Sequence, residues 1–275
     1  MEANMHDSQR RSVVLALDML HSADDCRHCG KPKDGHTVPF AYCIGLGGSP
    51  DDIGEPERFT PIGWNNKTAL GLSIGCYWDY GDQRCHFFDI HNLEETMQGF
   101  VETQPLLVSF NGRSFDFPLM RGLLRLRAED MLDEDIQDCT DEPPGSALAS
   151  TKRQSAGLIA LCDSFKIQCS SSYDLLAEIW QVDPSRRFEH GLNSLDAISR
   201  ANGLGGKLSH GAEAPRRWAR GEYAHVLNYC QDDVLKTKAL FEMVCAGHTI
   251  LRGDDQPIML RNPLTQEEPH APAQP

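Results

Sequence analysis

The chain has 275 residues, enough for one large domain or two small ones and for a full apolar core. Its 40 acidic and 26 basic residues leave a net charge of -14, which argues against a broad basic surface that coats nucleic acid. Ten cysteines, behind a start reading MEANMHDSQRR with no signal-peptide pattern, predict reduced thiols and a cytoplasmic protein rather than a disulfide framework. No apolar run approaches the ~20 residues that span a bilayer, so no membrane partner is expected.

Val13 to Leu17 is a continuous apolar run that predicts a buried strand with Asp18 at its tip. Residues 21 to 68, rich in Gly, Pro, Asp and His, read as loop with one short strand near Phe40 to Gly45. Leu70 to Trp78 and Arg84 to Ile90 then read as two strands joined by the turn Asp79-Tyr80-Gly81-Asp82, which with the first strand would make an antiparallel unit. Asn92, with Glu95 three residues on, predicts a capped helix through about Glu102. Leu106 to Phe110 is a further buried strand and Phe117 to Arg127 a helix.

The run from Ala128 to Glu142 carries eight acidic residues and no basic one, followed by Pro143-Pro144-Gly145, and reads as a solvated surface insertion. Helices are expected around Asp174 to Gln181, from about Ser194 to Ala201 with Ser194 as cap and Gly203 as stop, and from Glu222 to Cys245. The predicted organisation is a polar segment at 1–11, one α/β domain over 12–250 with the acidic insertion at about 128–150, and a C-terminal tail at 251–275 that frays from Pro263.

Three aspartates stand out by position. Asp18 ends a strand; Asp116 follows another through Asn111-Gly112-Arg113-Ser114-Phe115, a turn that hands it to a helix start; Asp233 lies one helical turn after Tyr229. Of the pair Asp232-Asp233, Asp232 is expected to face solvent. Carboxylates gathered from strand ends and a helix suit hard divalent cations, and two such ions about 4 Å apart can hold the attacking and leaving oxygens of a phosphodiester.

Asn111-Gly112-Arg113-Ser114-Phe115-Asp116-Phe117-Pro118 and Tyr229-Cys230-Gln231-Asp232-Asp233-Val234 resemble the second and third motifs of DEDDy-type 3'-5' exonucleases of the ribonuclease H-like superfamily. Within that group the likeness is to predicted exonucleases related to the proofreading domain of family B DNA polymerases. It extends to Tyr173-Asp174-Leu175-Leu176, Leu192-Asn193-Ser194-Leu195-Asp196 and Gly205-Gly206-Lys207, and so covers roughly Val13 to Gly247. The resemblance implies a mixed sheet with helices on both faces, and a metal-dependent exonuclease acting on single-stranded DNA or RNA ends. It implies that Asp18, Asp116 and Asp233 hold one or two Mg²⁺ or Mn²⁺ ions, that Asp174 is a further carboxylate near them, and that Tyr229 positions the attacking water. Asn111, Phe115, Lys207, Arg216 and Arg217 would contact the nucleic acid.

The first motif departs from the family form Asp-x-Glu, since Asp18-Met19-Leu20 stands in its place and Leu20 cannot bind a metal. Asp24 or Asp25 is a conceivable substitute. The departure supports an alternative, a weakened or inactive relative that binds nucleic acid or a protein through the same fold. Separately, Cys26 and Cys29 have the spacing of half a zinc site, with His36 and Cys43 as partners. Arg186, Arg187, Lys207, Arg216, Arg217 and Arg220 form the one basic concentration, with Trp218 inside it for stacking on a base.

Overall fold

The computed structural model describes residues 12–18, 72–136, 147–187, 189, 191–208 and 214–265. The loop at 21–68, its strand near Phe40, the cysteines at 26, 29 and 43, His36, Leu20, Asp24 and Asp25 lie outside the described residues.

Five strands make one sheet: β1 (Ser12–Asp18), β2 (Ile74–Asp79), β3 (Arg84–Phe88), β4 (Leu106–Ser109) and β5 (Tyr173–Asp174), in the order β3-β2-β1-β4-β5. The first three are antiparallel, and β1 then pairs parallel to β4 and β4 to β5. The turn predicted at Asp79 closes the β2–β3 hairpin, where the Asp79 carboxylate accepts from Gly81 N–H at 2.7 Å. Within β4 alternation sorts the side chains, Leu107 to one core and Val108 to the other.

The Leu107 core is completed by α1 (Leu93–Thr103), α2 (Asp116–Ile136) and α3 (Ala147–Ser170). The Val108 core is completed by α4 (Leu175–Val182), α5 (Leu195–Ala201), α6 (Ala214–Ala219) and α7 (Tyr223–Cys245), with the small hairpin β6 (Ile250–Leu251) and β7 (Pro257–Ile258). A mixed sheet therefore carries helices on both faces. Helix α7 lies across β1 and β2, burying Val226, Cys230, Val234, Phe241 and Val244 at helical spacing.

Three expectations need correction, and one helix is unexpected. The first is the acidic insertion at 128–150, which is helical through Ile136: Ala128 is fully buried, and its carbonyl accepts from the Ser155 hydroxyl at 2.8 Å. Glu129 and Asp130 are exposed on a helix whose other side packs against α3. Helix α3, which no expectation from the sequence covers, seats Leu161, Cys162, Phe165 and Cys169 in the Leu107 core. The tail at 251–275 belongs to the domain as far as the described residues go, because Ile258 and Leu260 are buried and the Tyr173 hydroxyl donates to Arg261 O. Finally, Asn92 precedes α1 without a side-chain cap; its Oδ1 instead accepts from Asp89 N–H at 2.7 Å.

Candidate functional site

In open α/β sheets ligands bind beyond the carboxyl ends of the strands. The parallel strands β4 and β5 end level at Ser109 and Asp174, and β1, whose Leu15 pairs with Ser109, runs three residues further to Asp18. A cleft of about 290 Å³ opens there, lined among others by Asn111, Asp116, Asn193, Lys207, Asp233 and Thr237. It thus brings together Asp116 and Asp233, and adds Lys207 and Asn111. Asp18 sits at the same sheet end by its backbone, and its side chain lies outside the described residues.

The turn after β4 is built to present Asp116. Asn111 adopts a left-handed backbone, φ 73°, which Asn tolerates better than most residues. Gly112 comes so close to Ser109 that a Cβ would lie 2.5 Å from the serine Cβ and Oγ and 3.2 Å from Asp116 Oδ2. Its carbonyl accepts from Phe117 N–H at 2.9 Å, fixing the first turn of α2.

Asp174 holds this turn from below. Its Oδ1 accepts from Asn111 N–H at 3.0 Å, and from Leu176 and Ala177 N–H at 3.1 and 3.2 Å; its Oδ2 accepts from Arg113 N–H at 2.9 Å. It therefore caps α4 and clamps the loop bearing Asp116 in one stroke. The Arg113 guanidinium donates to Ser172 Oγ at 3.1 Å and to the Ser172 carbonyl, tying the loop to the start of β5.

Asp116 is 6% exposed, and its carboxyl is pushed up to about 8 by burial first and by the nearby charges of Asp174 and Asp233 second. Asp233 is raised too, by burial, although Lys207 and a hydrogen bond from Tyr229 pull the other way. Its Oδ2 accepts from Lys207 Nζ at 2.6 Å, while Oδ1 is buried with no hydrogen-bond partner among the described residues. Lys207 Nζ also donates to the Tyr229 hydroxyl at 3.1 Å. Asp232, the expected solvent-facing member of its pair, is partly exposed and takes the Lys236 ammonium.

Buried carboxylates with raised proton affinities and an unpartnered oxygen are a donor set for a hard cation, which would supply the missing counter-charge. Asp116 and Asp233 meet that description. Asp174 lies close enough to raise Asp116, with four backbone N–H groups already on its oxygens.

Of the residues expected to meet nucleic acid, Asn111 and Lys207 line the cleft and Phe115 packs partly buried on the Leu107 core. Arg217 donates to Glu222 at 2.9 Å, and the Arg216 side chain lies outside the described residues. The basic concentration is largely ion-paired: Arg186 with Glu189 and Asp254, each at 2.6 Å, while Arg187 lies over the Trp180 ring. Sequence reasoning missed Asn193 as a cleft residue. It is 8% exposed, donates from Nδ2 to Arg186 O at 2.9 Å, and keeps Oδ1 unpartnered among the described residues. Its sequence signals are its place one residue before the Ser194 cap and inside the segment Leu192 to Asp196 that shares the resemblance.

A second acidic group, Asp79, Asp82 and His86, has ligand atoms within 4.8 Å of one another, but its contacts serve the β2–β3 hairpin, with His86 and Asp82 at 2.8 Å. All six described cysteines are free thiols, and no described helix is long and apolar enough to cross a membrane. No protein-family model matches this chain, and no curated protein shows significant similarity to it.

Proposed function

We propose that the protein is a metal-dependent 3'-5' exonuclease of ribonuclease H-like fold, acting on single-stranded DNA or RNA ends. The observation that carries this reading is the pairing of Asp116 and Asp233 in one cleft beyond the carboxyl end of β4, with one Asp233 oxygen buried and unpartnered among the described residues. The sheet order β3-β2-β1-β4-β5, antiparallel and then parallel, supports the fold assignment.

Asp116 and Asp233, with Asp18 from the end of β1, would hold Mg²⁺ or Mn²⁺. When bound, the cation supplies charge for the scissile phosphate and acidifies its attacking water. Asp116 must first give up its proton, which the cation's own charge promotes. Tyr229, one turn from Asp233 on α7, presents its hydroxyl beside the carboxylate and orients the water. Asn111 and Asn193 offer polar atoms on the cleft wall to the terminal nucleotide.

Leu20 favours a second reading, a relative that binds nucleic acid or a protein without cutting. End-labelled single-stranded DNA and RNA separate the two. Shortening from the 3' end in Mg²⁺ or Mn²⁺ that Asp116→Ala abolishes supports the enzyme; no shortening, or shortening that survives in Asp116→Ala, refutes it.

A further inference from the structure

We propose that the Lys207 ammonium stands in for a second cation, so that the cleft takes one divalent ion per chain instead of two. This rests on reading the cleft as a divalent-cation site. Lys207 Nζ lies 2.6 Å from Asp233 Oδ2 and 3.1 Å from the Tyr229 hydroxyl, with its side chain only 25% exposed. One oxygen of Asp233 is thus satisfied by a fixed positive charge, while the other is buried without a hydrogen-bond partner among the described residues.

The placement is built into the chain. Lys207 N–H donates to Asp196 Oδ1 at 2.6 Å, anchoring the base of the side chain to α5. Asp196 is itself held by Arg200 at 3.1 Å. Gly206 packs so tightly on the Arg200 guanidinium that a Cβ there would lie 2.2 Å from it, and Gly205 takes the left-handed backbone that turns the chain toward the cleft. Three successive residues are shaped to deliver one ammonium to Asp233.

The Asp233 carboxylate sets the limit. Lys207 already takes its Oδ2 at 2.6 Å, which leaves only Oδ1, beside Asp116, for a divalent ion. Leu20, two residues past Asp18, brings no carboxylate. A second dication would have to share Asp233 with an ammonium of the same sign a few ångströms away, where like charges in partly buried surroundings repel strongly.

The test is Mn²⁺ binding to the full chain, followed by electron paramagnetic resonance of the free ion, with no turnover required. Wild type should bind one Mn²⁺ per chain, and Asp116→Asn should lose it. Lys207→Gln should tighten Mn²⁺ binding about tenfold or more or admit a second ion, as expected for removing a neighbouring like charge, while Lys207→Arg should behave as wild type. Two ions on wild type would overturn the proposal without any variant having to fold. Unchanged or weaker Mn²⁺ affinity in Lys207→Gln would overturn it as well, and would mark Lys207 as a phosphate contact. Both results leave the exonuclease reading intact, whereas no Mn²⁺ binding by wild type would sink the cation site and this proposal together.

Discussion

Asp174 joins the fold to the site, and its replacement is the sharpest structural test. The side chain is 1% exposed and accepts four backbone N–H groups, two from the loop that carries Asp116 and two from the first turn of α4. Losing the helix cap costs about 1 kcal/mol. Each of the loop hydrogen bonds to a charged acceptor contributes about 1.5 kcal/mol or more, since the N–H left behind is part-buried. Asp174→Ala should therefore destabilise the protein by about 4 kcal/mol. Asp174→Asn keeps the Oδ1 contacts but turns an amide NH₂ toward Arg113 N–H, and should cost about 2 kcal/mol. Urea unfolding followed by tryptophan fluorescence measures both. An Asp174→Ala protein within about 0.5 kcal/mol of wild type would refute the clamp, because four donors, one buried and three part-buried, cannot lose a charged acceptor at so little cost.

Gly112→Ala should destabilise by about 1–3 kcal/mol, read by the same unfolding assay, because its Cβ would press on the fully buried Ser109. Phe165→Ala should cost about 3–5 kcal/mol, since the ring is fully buried between Phe100 and Phe117. Asp116 holds its proton up to about pH 8 in the folded chain, against 3.8 ordinarily. The folded state then binds the extra proton between those values, so metal-free stability should fall as pH rises from about 4 to about 8 and level off above. Thermal unfolding across pH in EDTA checks this, and Asp116→Asn should flatten the slope. By the same proton release, Mn²⁺ affinity should climb with pH toward about 8, as calorimetric titration would show.

The parts of the fold that were legible share strong local signals. The apolar run ending at Asp18, the hairpin turn, the Asn-Gly reversal before Asp116 and the Ser194 cap each follow from backbone chemistry confined to a few residues, and each stands in the structure. The burial of Asp233 instead of Asp232 follows from its register one turn after Tyr229. Helix α3 escaped because its buried side is made partly of Ser155, Cys162 and Cys169, while Ile167 on the other side is 72% exposed, which blurs the period. The acidic stretch masked the end of α2 for a related reason: charge density reports solvent on one side of a helix and says nothing about Ala128 on the other. The roles of Asp174 and Lys207 depend on contacts between residues far apart in the chain. Asp174 reaches Asn111 across 63 positions and Lys207 reaches Asp233 across 26, and no local pattern encodes such pairs.

The central claim is that the cleft between β4 and α7 is a divalent-cation site, and anomalous diffraction from a Mn²⁺-soaked crystal tests it most directly. The account predicts a peak within coordinating distance of the Asp116 carboxylate and of Asp233 Oδ1. A peak only at Asp79, Asp82 and His86, or none at millimolar Mn²⁺, would contradict it.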